Sequence, residues 1–505
     1  MELSITTKNN TYLILDCEDK GILHEISEFF TMYVPGYKFM PAFRNKMWDG
    51  KLRLFNMQNQ QVYYGLYHYI VEFCKERDIT INIIDSEGNY DNPNTVYDDT
   101  LDWILEIPLS VKGKKIFPRD YQLDAIKYGL KHRRGMMLSP TASGKSLIIY
   151  LLMRHFQGFF RSSGSHEKVL IIVPTTSLVK QMYGDFADYS EFDESFDAPT
   201  NCHQIMAGKD KGHKSKRVYI STWQSIYKMG SKYFERFGMV VGDEAHQFKA
   251  KSLTSILTKC TEAKYRFGTT GTLDGTTTHK LVLEGLFGPI RKITTSKTLM
   301  DRGDLASLQI DVITMKYPPK MCQLISKMKY QEEINYLVTN KMRNNFIRNL
   351  ALDQTGNTLV LFNFVEKHGV PLYRLIEKDA KKGRKVFFVS GQTAADVREE
   401  IRTITETEKD AILVCSFGTF STGVNIKNLH NIIFASPSKS QIRILQSIGR
   451  GLRKSDRETK IYDIADDLSW KKHKNFAFKH AAERVRIYAK EKFRFKIHTV
   501  KIYDK

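Results

Sequence analysis

Ser139-Pro140-Thr141-Ala142-Ser143-Gly144-Lys145-Ser146 is the stretch that decides the fold of this 505-residue chain. A short apolar run ending at Leu138 precedes it, and a longer one from Leu147 to Met153 follows it. This order predicts a strand, a tight loop and a helix. In such a unit the backbone N–H groups of the loop and the N-terminus of the helix both face a polyphosphate. The sequence therefore predicts a phosphate-binding loop here.

Individual residues of this loop match the pattern G-x-x-x-x-G-K-[ST]. Gly144 lets the backbone approach a ligand closely, Lys145 reaches the β- and γ-phosphates, and the Ser146 hydroxyl binds Mg²⁺. The remaining cradle residues are Thr141, Ala142 and Ser143. Ser139 stands where the pattern has its first glycine. The alternative is a Gly/Ser loop that only links a strand to a helix.

Composition bounds the class of protein. At ~150 residues per domain, the length predicts about three domains. No run of ~18 apolar residues occurs and no signal peptide is indicated, so we expect no membrane span and a cytoplasmic location. Six cysteines lie scattered without a C-x-x-C pair. They predict neither a zinc site nor disulfides, as in a reducing compartment.

The formal net charge of +21 favours a polyanionic partner, and nucleic acid is the commonest one. The alternative is a basic surface that only maintains solubility. Residues 1–95 hold 9 Lys and Arg against 13 Asp and Glu, whereas residues 470–505 hold 12 against 3. The positive charge therefore belongs to the middle and the end of the chain.

Residues 1–95 predict a small α+β domain in which one segment, Gly36 to Asn56, mixes cations with aromatic residues. The cations are Lys38, Arg44, Lys46, Lys51 and Arg53. Asp49-Gly50 is a strong hairpin signal, with Lys51 to Phe55 as the second arm. Aromatics among cations suit base stacking combined with phosphate contact. The alternative is an ordinary hairpin with its aromatics turned inward.

After a polar linker at 85–100, strand-like and helix-like segments alternate to about residue 465. The predicted strands are Val169–Val173, Arg217–Ser221, Met239–Gly242, Leu308–Met315, Thr358–Phe362, Lys385–Val389, Ala411–Cys415 and Asn431–Ala435. This alternation indicates parallel sheets covered by helices on both faces. A break near 294–304 gives two lobes, at 96–300 and 301–469. We expect one helix over 329–353, and a basic extension at 470–505 that is helical over 476–494.

A second element completes the predicted ATP site. An apolar strand leads into Asp243-Glu244-Ala245-His246. Asp243 can hold Mg²⁺, and Glu244 can orient or deprotonate the attacking water. In the second lobe, Arg450 and Arg453 can bring positive charge to the γ-phosphate when the lobes close. A basic helix end is the alternative for Arg453 alone.

These motifs resemble those of superfamily 2 helicases and translocases of the DEAH-box kind, in the family's order from Phe117 to Arg453. The resemblance implies two RecA-like lobes, ATP and Mg²⁺, and catalytic roles for His246 and Gln446. It also implies nucleotide contacts from Arg119, Gln122, Gly423 and Asn425. Thr270-Gly271-Thr272 resembles the motif that relays the nucleotide state. The implied nucleic-acid contacts in the two lobes are Pro174, Thr175, Gln181, Thr222, Trp223, Gln224 and Thr422.

A narrower resemblance links Gly36 to Leu54, the motor motifs and Tyr330 to Glu333 with the UvsW-type helicases of T4-like phages. It implies a branch-processing enzyme that acts on DNA junctions, forks and R-loops, including RNA–DNA hybrids, in replication, recombination and repair. Single-stranded-DNA-binding or recombination proteins are its implied partners. Residue patterns alone indicate only an ATP-driven nucleic-acid motor, because the motifs grip phosphates and not bases. An RNA helicase, a duplex translocase without strand separation and an ATP-gated clamp remain alternatives.

Overall fold

The computed structural model describes residues 1–84, 92–97, 100–248, 251–273, 275–423, 426, 428–437, 448–449 and 458–503. The chain folds into two compact units. One comprises Met1–Ser139 with Gly144–Ile293, and the other comprises Pro140–Ser143 with Thr294–Lys505. Among the described residues, no helix is long and apolar enough to cross a membrane.

The first unit opens with a five-stranded sheet in the order β5-β6-β2-β1-β7. The strands up to residue 84 are β1 (Glu2–Thr7), β2 (Tyr12–Asp16), β3 (Thr31–Tyr33), β4 (Lys51–Arg53), β5 (Phe55–Asn56), β6 (Gln61–Tyr63) and β7 (Thr80–Ile84). The helices are α1 (Lys20–Phe29), α2 (Pro41–Arg44) and α3 (Tyr67–Glu76), with 3-10 turns at Tyr37–Phe39 and Tyr64–Leu66. Alternate residues of β1 and β2 are buried, so one face of this sheet packs against α1 and α3.

The prediction of a hairpin turn at Asp49-Gly50 is wrong as to the connection between the two strands. β3 pairs with β4 antiparallel, and the residues between them form a 3-10 turn and the short helix α2, not a two-residue turn. The Asp49 carboxylate accepts a hydrogen bond from the Lys51 backbone N–H at 3.0 Å. Asp49 therefore orders the entry to β4 through its side chain, which the dipeptide pattern does not distinguish from a hairpin turn.

A seven-stranded parallel sheet forms the rest of the first unit, in the order β12-β13-β11-β14-β15-β10-β16. Its strands are β10 (Arg134–Leu138), β11 (Lys168–Val173), β12 (Cys202–Ile205), β13 (Val218–Thr222), β14 (Phe237–Asp243), β15 (Tyr265–Thr270) and β16 (Ile290–Lys292), preceded by the small hairpin β8 (Ser110–Val111) and β9 (Lys114–Lys115). The helices are α4 (Trp103–Glu106), α5 (Asp120–His132), α6 (Lys145–Ser162), α7 (Thr176–Tyr189), α8 (Ala198–Asn201), α9 (Trp223–Ile226), α10 (Ser231–Phe234), α11 (Lys251–Lys259) and α12 (Thr277–Phe287), with a 3-10 turn at Ala245–Gln247.

β15 was not predicted, because Arg266 interrupts its apolar pattern. The side chain of Arg266 is 1% exposed, and its guanidinium donates to carbonyl oxygens of Ala263 at 3.0 Å and Leu286 at 3.3 Å. It also donates to the Thr11 hydroxyl of the N-terminal sheet region at 2.7 Å. A buried charge is tolerated when hydrogen bonds satisfy it, so this strand joins the sheet in spite of its sequence.

The second unit also holds a seven-stranded parallel sheet, in the order β19-β20-β18-β21-β22-β17-β23. Its strands are β17 (Leu308–Lys316), β18 (Thr358–Phe362), β19 (Val386–Val389), β20 (Ile412–Ser416), β21 (Asn431–Phe434), β22 (Thr459–Asp467) and β23 (Arg494–Lys501). The helices are α13 (Ser296–Asp301), α14 (Pro319–Ile325), α15 (Tyr330–Thr339), α16 (Lys341–Asp353), α17 (Val370–Asp379), α18 (Ala395–Thr407), α19 (Phe417–Gly423) and α20 (Phe476–Lys490), with a π-turn at Val365–Gly369. The predicted α/β class, with two parallel-sheet lobes after a small α+β region, is confirmed.

The prediction of a single helix over 329–353 is wrong, because the helix is interrupted at Asn340. Asn340 has extended backbone angles, and its side-chain oxygen accepts from the Arg343 N–H at 2.9 Å as the N-cap of α16. Asparagine is a preferred N-cap residue. The apolar periodicity continues across the break, which is why the pattern alone predicted one helix.

The basic end of the chain is part of the second sheet. β23 pairs in parallel with β17 at the sheet edge, and α20 packs against β22. Arg484 of α20 forms a buried ion pair with Asp463 of β22, at 2.7 Å between Nη2 and Oδ1. Glu333 of α15 accepts from the first backbone N–H groups of α20, at 2.9 Å from Phe476 and 2.7 Å from Ala477. These contacts tie the helix to the lobe.

Candidate nucleotide and nucleic-acid sites

The phosphate-binding loop follows β10, as the sequence predicts, and α6 begins at Lys145. The Ser139 N–H donates to the Thr270 carbonyl at 2.9 Å, which joins the loop entry to the end of β15. Ala142 and Gly144 have positive φ angles of 65° and 77°. A Cβ on Gly144 would lie 2.3 Å from Nε2 of Gln122. Glycine is therefore required at 144 for its backbone angle and for this close approach.

Gln122 lies directly beside the loop. Its side chain is 4% exposed, and its Oε1 accepts from the Arg119 backbone N–H at 2.8 Å, which closes the first turn of α5. The Arg119 guanidinium donates to the Tyr121 hydroxyl at 3.0 Å. The structure thus brings together the segment implied to contact the nucleotide, at Arg119 and Gln122, and the segment expected to hold the phosphates.

The first two residues of α6 have identifiable partners. The Lys145 ammonium donates to the Ser139 carbonyl at 3.3 Å across the loop. The Ser146 hydroxyl is 2.9 Å from the hydroxyl of Tyr189, the last residue of α7. Burial raises the pKa of Tyr189, so its phenol stays protonated at neutral pH. The phenol can accept the Ser146 proton, which leaves the serine oxygen lone pairs available to a cation.

Asp243 stands at the end of β14, and β14 pairs with β15 so that Asp243 lies opposite Thr269. The Thr269 hydroxyl donates to Oδ1 of Asp243 at 2.7 Å. Burial raises the pKa of Asp243, the neighbouring Glu244 carboxylate raises it further, and the Lys145 ammonium opposes both. A buried carboxylate near a lysine and a threonine hydroxyl fits Mg²⁺, because Mg²⁺ prefers oxygen ligands and adds the positive charge that a buried acid needs.

Glu244 adopts the left-handed conformation, with φ 50° and ψ 49°. This conformation costs of order 1 kcal/mol for a residue with a side chain and is found at functional sites. Oε2 of Glu244 lies 3.3 Å from Nδ1 of His246, and that nitrogen is also 3.0 Å from the Thr270 hydroxyl. The Thr270 hydroxyl in turn donates to the Thr272 carbonyl at 3.1 Å. One chain of contacts therefore runs from the expected catalytic carboxylate into the expected relay motif.

The two segments of the first lobe that are expected to contact a nucleic-acid strand meet at a groove of about 500 Å³. Thr175 caps α7, with its hydroxyl accepting from the Leu178 N–H at 3.3 Å. Nε2 of Gln224 donates to the Pro174 carbonyl at 3.5 Å, and the Thr222 and Ser225 hydroxyls are 2.9 Å apart. Pro174, Thr175, Thr222 and Gln224 line the groove.

Two other predicted contacts lie differently. Trp223 packs against the sheet core beside Tyr227, with ring centroids 5.8 Å apart. Gln181 is exposed on α7, and the described residues that line the groove include neither Gln181 nor Trp223.

The cation-rich segment between β3 and β4 is exposed and partly organised by its own contacts. Tyr33 and Tyr37 stack with ring centroids 4.6 Å apart, and the Lys51 ammonium lies 5.4 Å from the Tyr33 ring. Arg53 is paired with Asp49 in an exposed ion pair. In contrast, Phe39 is 77% exposed. The segment therefore holds aromatic rings that pack on each other as well as one exposed aromatic ring.

Lys38, Arg44 and Lys46 are exposed on this segment. The side chain of Arg44 donates to the Lys38 carbonyl at 3.4 Å. Trp48 is half-buried and donates from Nε1 to the Lys51 carbonyl at 2.9 Å, so it supports the entry to β4.

Several predicted residues of the second lobe lie outside the described residues: Asn425, Gln446, Arg450 and Arg453. Thr422 and Gly423 fall in α19, for which only the backbone is described at these positions.

Sequence reasoning missed Tyr189 and Thr269. Each touches a predicted metal-binding residue, Ser146 and Asp243 respectively. Thr269 immediately precedes the relay motif, so its place at the end of a strand was a usable signal. Tyr189 lies 43 positions from Ser146 in the sequence, and no local pattern indicates that contact.

A parallel-sheet lobe with a phosphate loop, an Asp-Glu pair and a buried relay motif, followed by a second parallel-sheet lobe, defines a superfamily 2 helicase. Three family models match the chain: the DNA helicase UvsW N-terminal model at residues 2–85, the Type III restriction enzyme res subunit model at 115–275, and the helicase conserved C-terminal domain at 341–455.

One relative that matches along the whole chain shows the family. The ATP-dependent DNA helicase uvsW of Enterobacteria phage T4 is 33% identical over 520 residues, covering 99% of this chain and 100% of the relative. The crystal structure of T4 UvsW matches with a TM-score of 0.50 and 31% identity, covering 100% of both chains. The DNA 3'-5' translocase XPB2 of Sulfurisphaera tokodaii is 23% identical over 86% of this chain and 93% of its own length. The chain belongs to the UvsW family of helicases, and the resemblance drawn from its motifs is confirmed.

Proposed function

We propose that this protein is an ATP-dependent DNA helicase or translocase that acts on branched DNA, namely junctions, forks and R-loops. One observation carries the motor assignment: Asp243, at the carboxyl end of β14, interacts electrostatically with Glu244 and with Lys145, the first residue of α6, next to the phosphate loop. This is the arrangement that phosphoryl transfer from ATP requires. Family membership supports DNA as the substrate, because the T4 relative is a DNA helicase by name.

In this proposal the residues divide the work of hydrolysis. Gln122 and Arg119 receive the base, while the loop from Thr141 to Gly144 and the Lys145 ammonium hold the phosphates. Ser146 and Asp243 hold Mg²⁺, which supplies positive charge to the β- and γ-phosphate oxygens when bound.

Glu244 orients the attacking water, and His246 holds the Glu244 carboxylate through its Nδ1 nitrogen. Contact between His246 and Thr270 passes the state of the site to the relay motif. For the second lobe we propose contacts from Gln446, Arg450 and Arg453 to the γ-phosphate, from Gly423 and Asn425 to the nucleotide, and from Thr422 to the strand.

Two variants test the motor. Lys145→Ala removes the cation that faces the β- and γ-phosphates, so DNA-stimulated hydrolysis should fall by orders of magnitude while DNA binding remains. Glu244→Gln should bind ATP but not turn it over. Lys75→Ala, at an exposed position on α3, is the control. Near-normal turnover in either site variant would contradict the assignment.

Recognition of branched DNA is proposed for the exposed segment between β3 and β4. The region up to residue 95 is net acidic, so it is poorly suited to attract any duplex, whereas Lys38, Arg44 and Lys46 form a local cationic patch beside the exposed Phe39. Such a patch suits one feature of DNA, such as an unstacked base next to phosphates.

The test is a competition between a four-way junction and a linear duplex of the same length. Arg44→Glu with Lys46→Glu should lower the ratio of junction to duplex affinity, whereas Lys8→Glu with Lys75→Glu makes the same charge change elsewhere in the region and should not. Arg53 is left intact because it pairs with Asp49. An unchanged ratio would assign junction recognition to the motor lobes.

An RNA helicase, a duplex translocase and an ATP-gated clamp are separated by one further comparison. ATPase stimulation by single-stranded, duplex and forked DNA, and by RNA, should be greatest with forked DNA. Greater stimulation by RNA would favour the RNA helicase, and strong stimulation by duplex without strand separation would favour the translocase. A protein that binds ATP and DNA without turnover would be a clamp.

We place the protein in the host cytoplasm with DNA recombination proteins as partners, because its relative is a phage protein.

A further inference from the structure

The loop between β12 and β13 carries a concentration of positive charge that no motif accounts for. Its sequence from Met206 to Arg217 contains five Lys and Arg residues and a single acid, Asp210. Lys209, Lys211 and Lys214 are exposed, whereas Lys216 donates to the Pro199 and Cys202 carbonyls at 2.7 and 2.8 Å. Three lysines of this loop therefore face solvent while a fourth anchors its base.

The backbone of this loop is held by side chains from four elements of the lobe. The Tyr233 hydroxyl donates to the Lys211 carbonyl at 2.6 Å. The Tyr219 hydroxyl and the Lys168 ammonium donate to the His213 carbonyl at 2.8 and 2.9 Å. The His203 ring lies 2.8 Å from the Asp210 carbonyl. A long polar loop with such anchors presents its lysines in a fixed place, so less ordering entropy is lost on binding.

The same loop forms one wall of the groove that holds the strand-contacting segments. Lys209 and Lys211 line it together with Pro174, Thr175 and Thr176 at the N-terminus of α7. Thr222, Gln224 and Ser225 also line it. Ammonium groups, hydroxyls and a helix N-terminus are the groups that bind phosphate oxygens. The described residues that line the groove do not include Lys214, although it belongs to the same loop.

We propose that Lys209 and Lys211 are nucleic-acid-binding residues that contact the phosphate backbone of DNA lying in this groove. The inference rests on the proposed function, and extends the DNA path of the first lobe to a loop outside the motor motifs. The contacts are to phosphates, so they contribute affinity and position without base preference.

The test measures DNA binding as a function of salt, by fluorescence anisotropy of a labelled linear duplex and of one of its strands. Each lost phosphate contact should reduce the slope of log affinity against log salt by ~0.9 on duplex and ~0.7 on a single strand. Lys209→Ala with Lys211→Ala should therefore reduce the duplex slope by almost two. Lys209→Arg with Lys211→Arg retains the charge and should retain the slope.

Lys211→Ala and Lys214→Ala form the matched pair, because both remove one exposed lysine from the same loop. Only Lys211→Ala should change the slope, by ~0.9 on duplex. Thermal unfolding midpoints show whether each variant is folded. An unchanged slope in the Lys209 and Lys211 double variant, or an equal change in Lys214→Ala, would overturn the inference and leave the proposed function standing. Wild-type protein that binds neither DNA would overturn both.

Discussion

At Gly65, the addition of a single methyl group by mutation to alanine should push the N-terminal region away from the first lobe. It lies in the 3-10 turn Tyr64–Leu66, and a Cβ built on it would be 2.0 Å from the Glu284 carbonyl oxygen and 2.8 Å from that of Gly285. Both atoms are backbone of α12, and so they cannot rotate away as a side chain could. Gly65→Ala must therefore move the two parts of the unit apart.

The cost can be worked out from the contacts that this movement breaks. Ordinary van der Waals contact begins at 3.4 Å, so the interface has to open by about 1.4 Å. The hydrogen bonds that cross it include Tyr69 to Glu284 at 2.7 Å, Arg266 to Thr11 at 2.7 Å and Asn10 to Thr261 at 3.1 Å. Three such bonds at ~1 kcal/mol each amount to ~3 kcal/mol. Overpacking of a core costs ~1–3 kcal/mol, so a loss of ~3 kcal/mol in the free energy of unfolding lies at the upper end of that range.

Urea denaturation followed by circular dichroism measures this loss. Gly158→Ala is the matched control, since Gly158 lies in α6 and, apart from its chain neighbours and the nearby helix backbone, none of the described residues comes within 4 Å of its Cβ position. It should stabilise the protein by ~0.5–1 kcal/mol, the helix preference of alanine over glycine. A Gly65→Ala protein as stable as wild type would refute the view that the backbones at this interface are in close contact. If the docked region sets the junction preference, Gly65→Ala should also lower the junction-to-duplex ratio.

Three further predictions concern ionisable groups and their partners. Tyr189→Phe removes the hydroxyl next to Ser146, so the Mg²⁺ affinity of the nucleotide complex should fall about fivefold to tenfold, at ~1 kcal/mol per hydrogen bond. A fluorescent ADP analogue titrated with Mg²⁺ measures it, and an unchanged affinity would remove Tyr189 from the site. Burial raises the pKa of Asp243 and Lys145 opposes that rise, so nucleotide-bound Mg²⁺ should bind more weakly as the pH falls, because protons compete for the carboxylate. In Lys145→Ala this weakening should begin at higher pH, and calorimetry showing no pH dependence would contradict it. Burial lowers the pKa of His368 to about 3. On acidification, His368 therefore binds a proton in the unfolded chain before it does so in the folded protein. The free energy of unfolding should fall by ~2 kcal/mol between pH 6.5 and 5. Urea denaturation at both values should show a smaller fall in His368→Gln.

The basic end of the chain is a structural part of the second lobe as well as a source of charge. Removal of residues 476–505 would leave the buried Asp463 carboxylate without Arg484 and strip β23 from the sheet. Breaking a buried ion pair costs ~3–5 kcal/mol. This truncation would therefore unfold the lobe and could not measure the electrostatic contribution of the basic end to DNA binding. Lys496 and Lys501 are exposed on β23. Their replacement by alanine removes positive charge while it leaves Arg484 and the strand in place.

The amino-acid sequence by itself determined the features that depend on neighbours in the chain. The phosphate loop is local, because β10, the loop and the start of α6 follow one another within a few residues. The same holds for Asp243 and Glu244 at the end of a buried strand, and for the alternation that predicts parallel sheets. The family assignment rests on these local motifs and their order.

Only the tertiary structure decided the features that join distant segments. Tyr189 reaches Ser146, Arg266 reaches Thr11, and Lys211 lies in a groove with Thr175, because the sheet places their strands and helices side by side. Periodicity records only whether a residue is apolar. It missed β15, whose buried arginine is satisfied by carbonyl oxygens, and it missed the break at Asn340, where a side-chain cap ends one helix and starts the next. Such contacts depend on which segments pack together, and a local pattern does not contain that information.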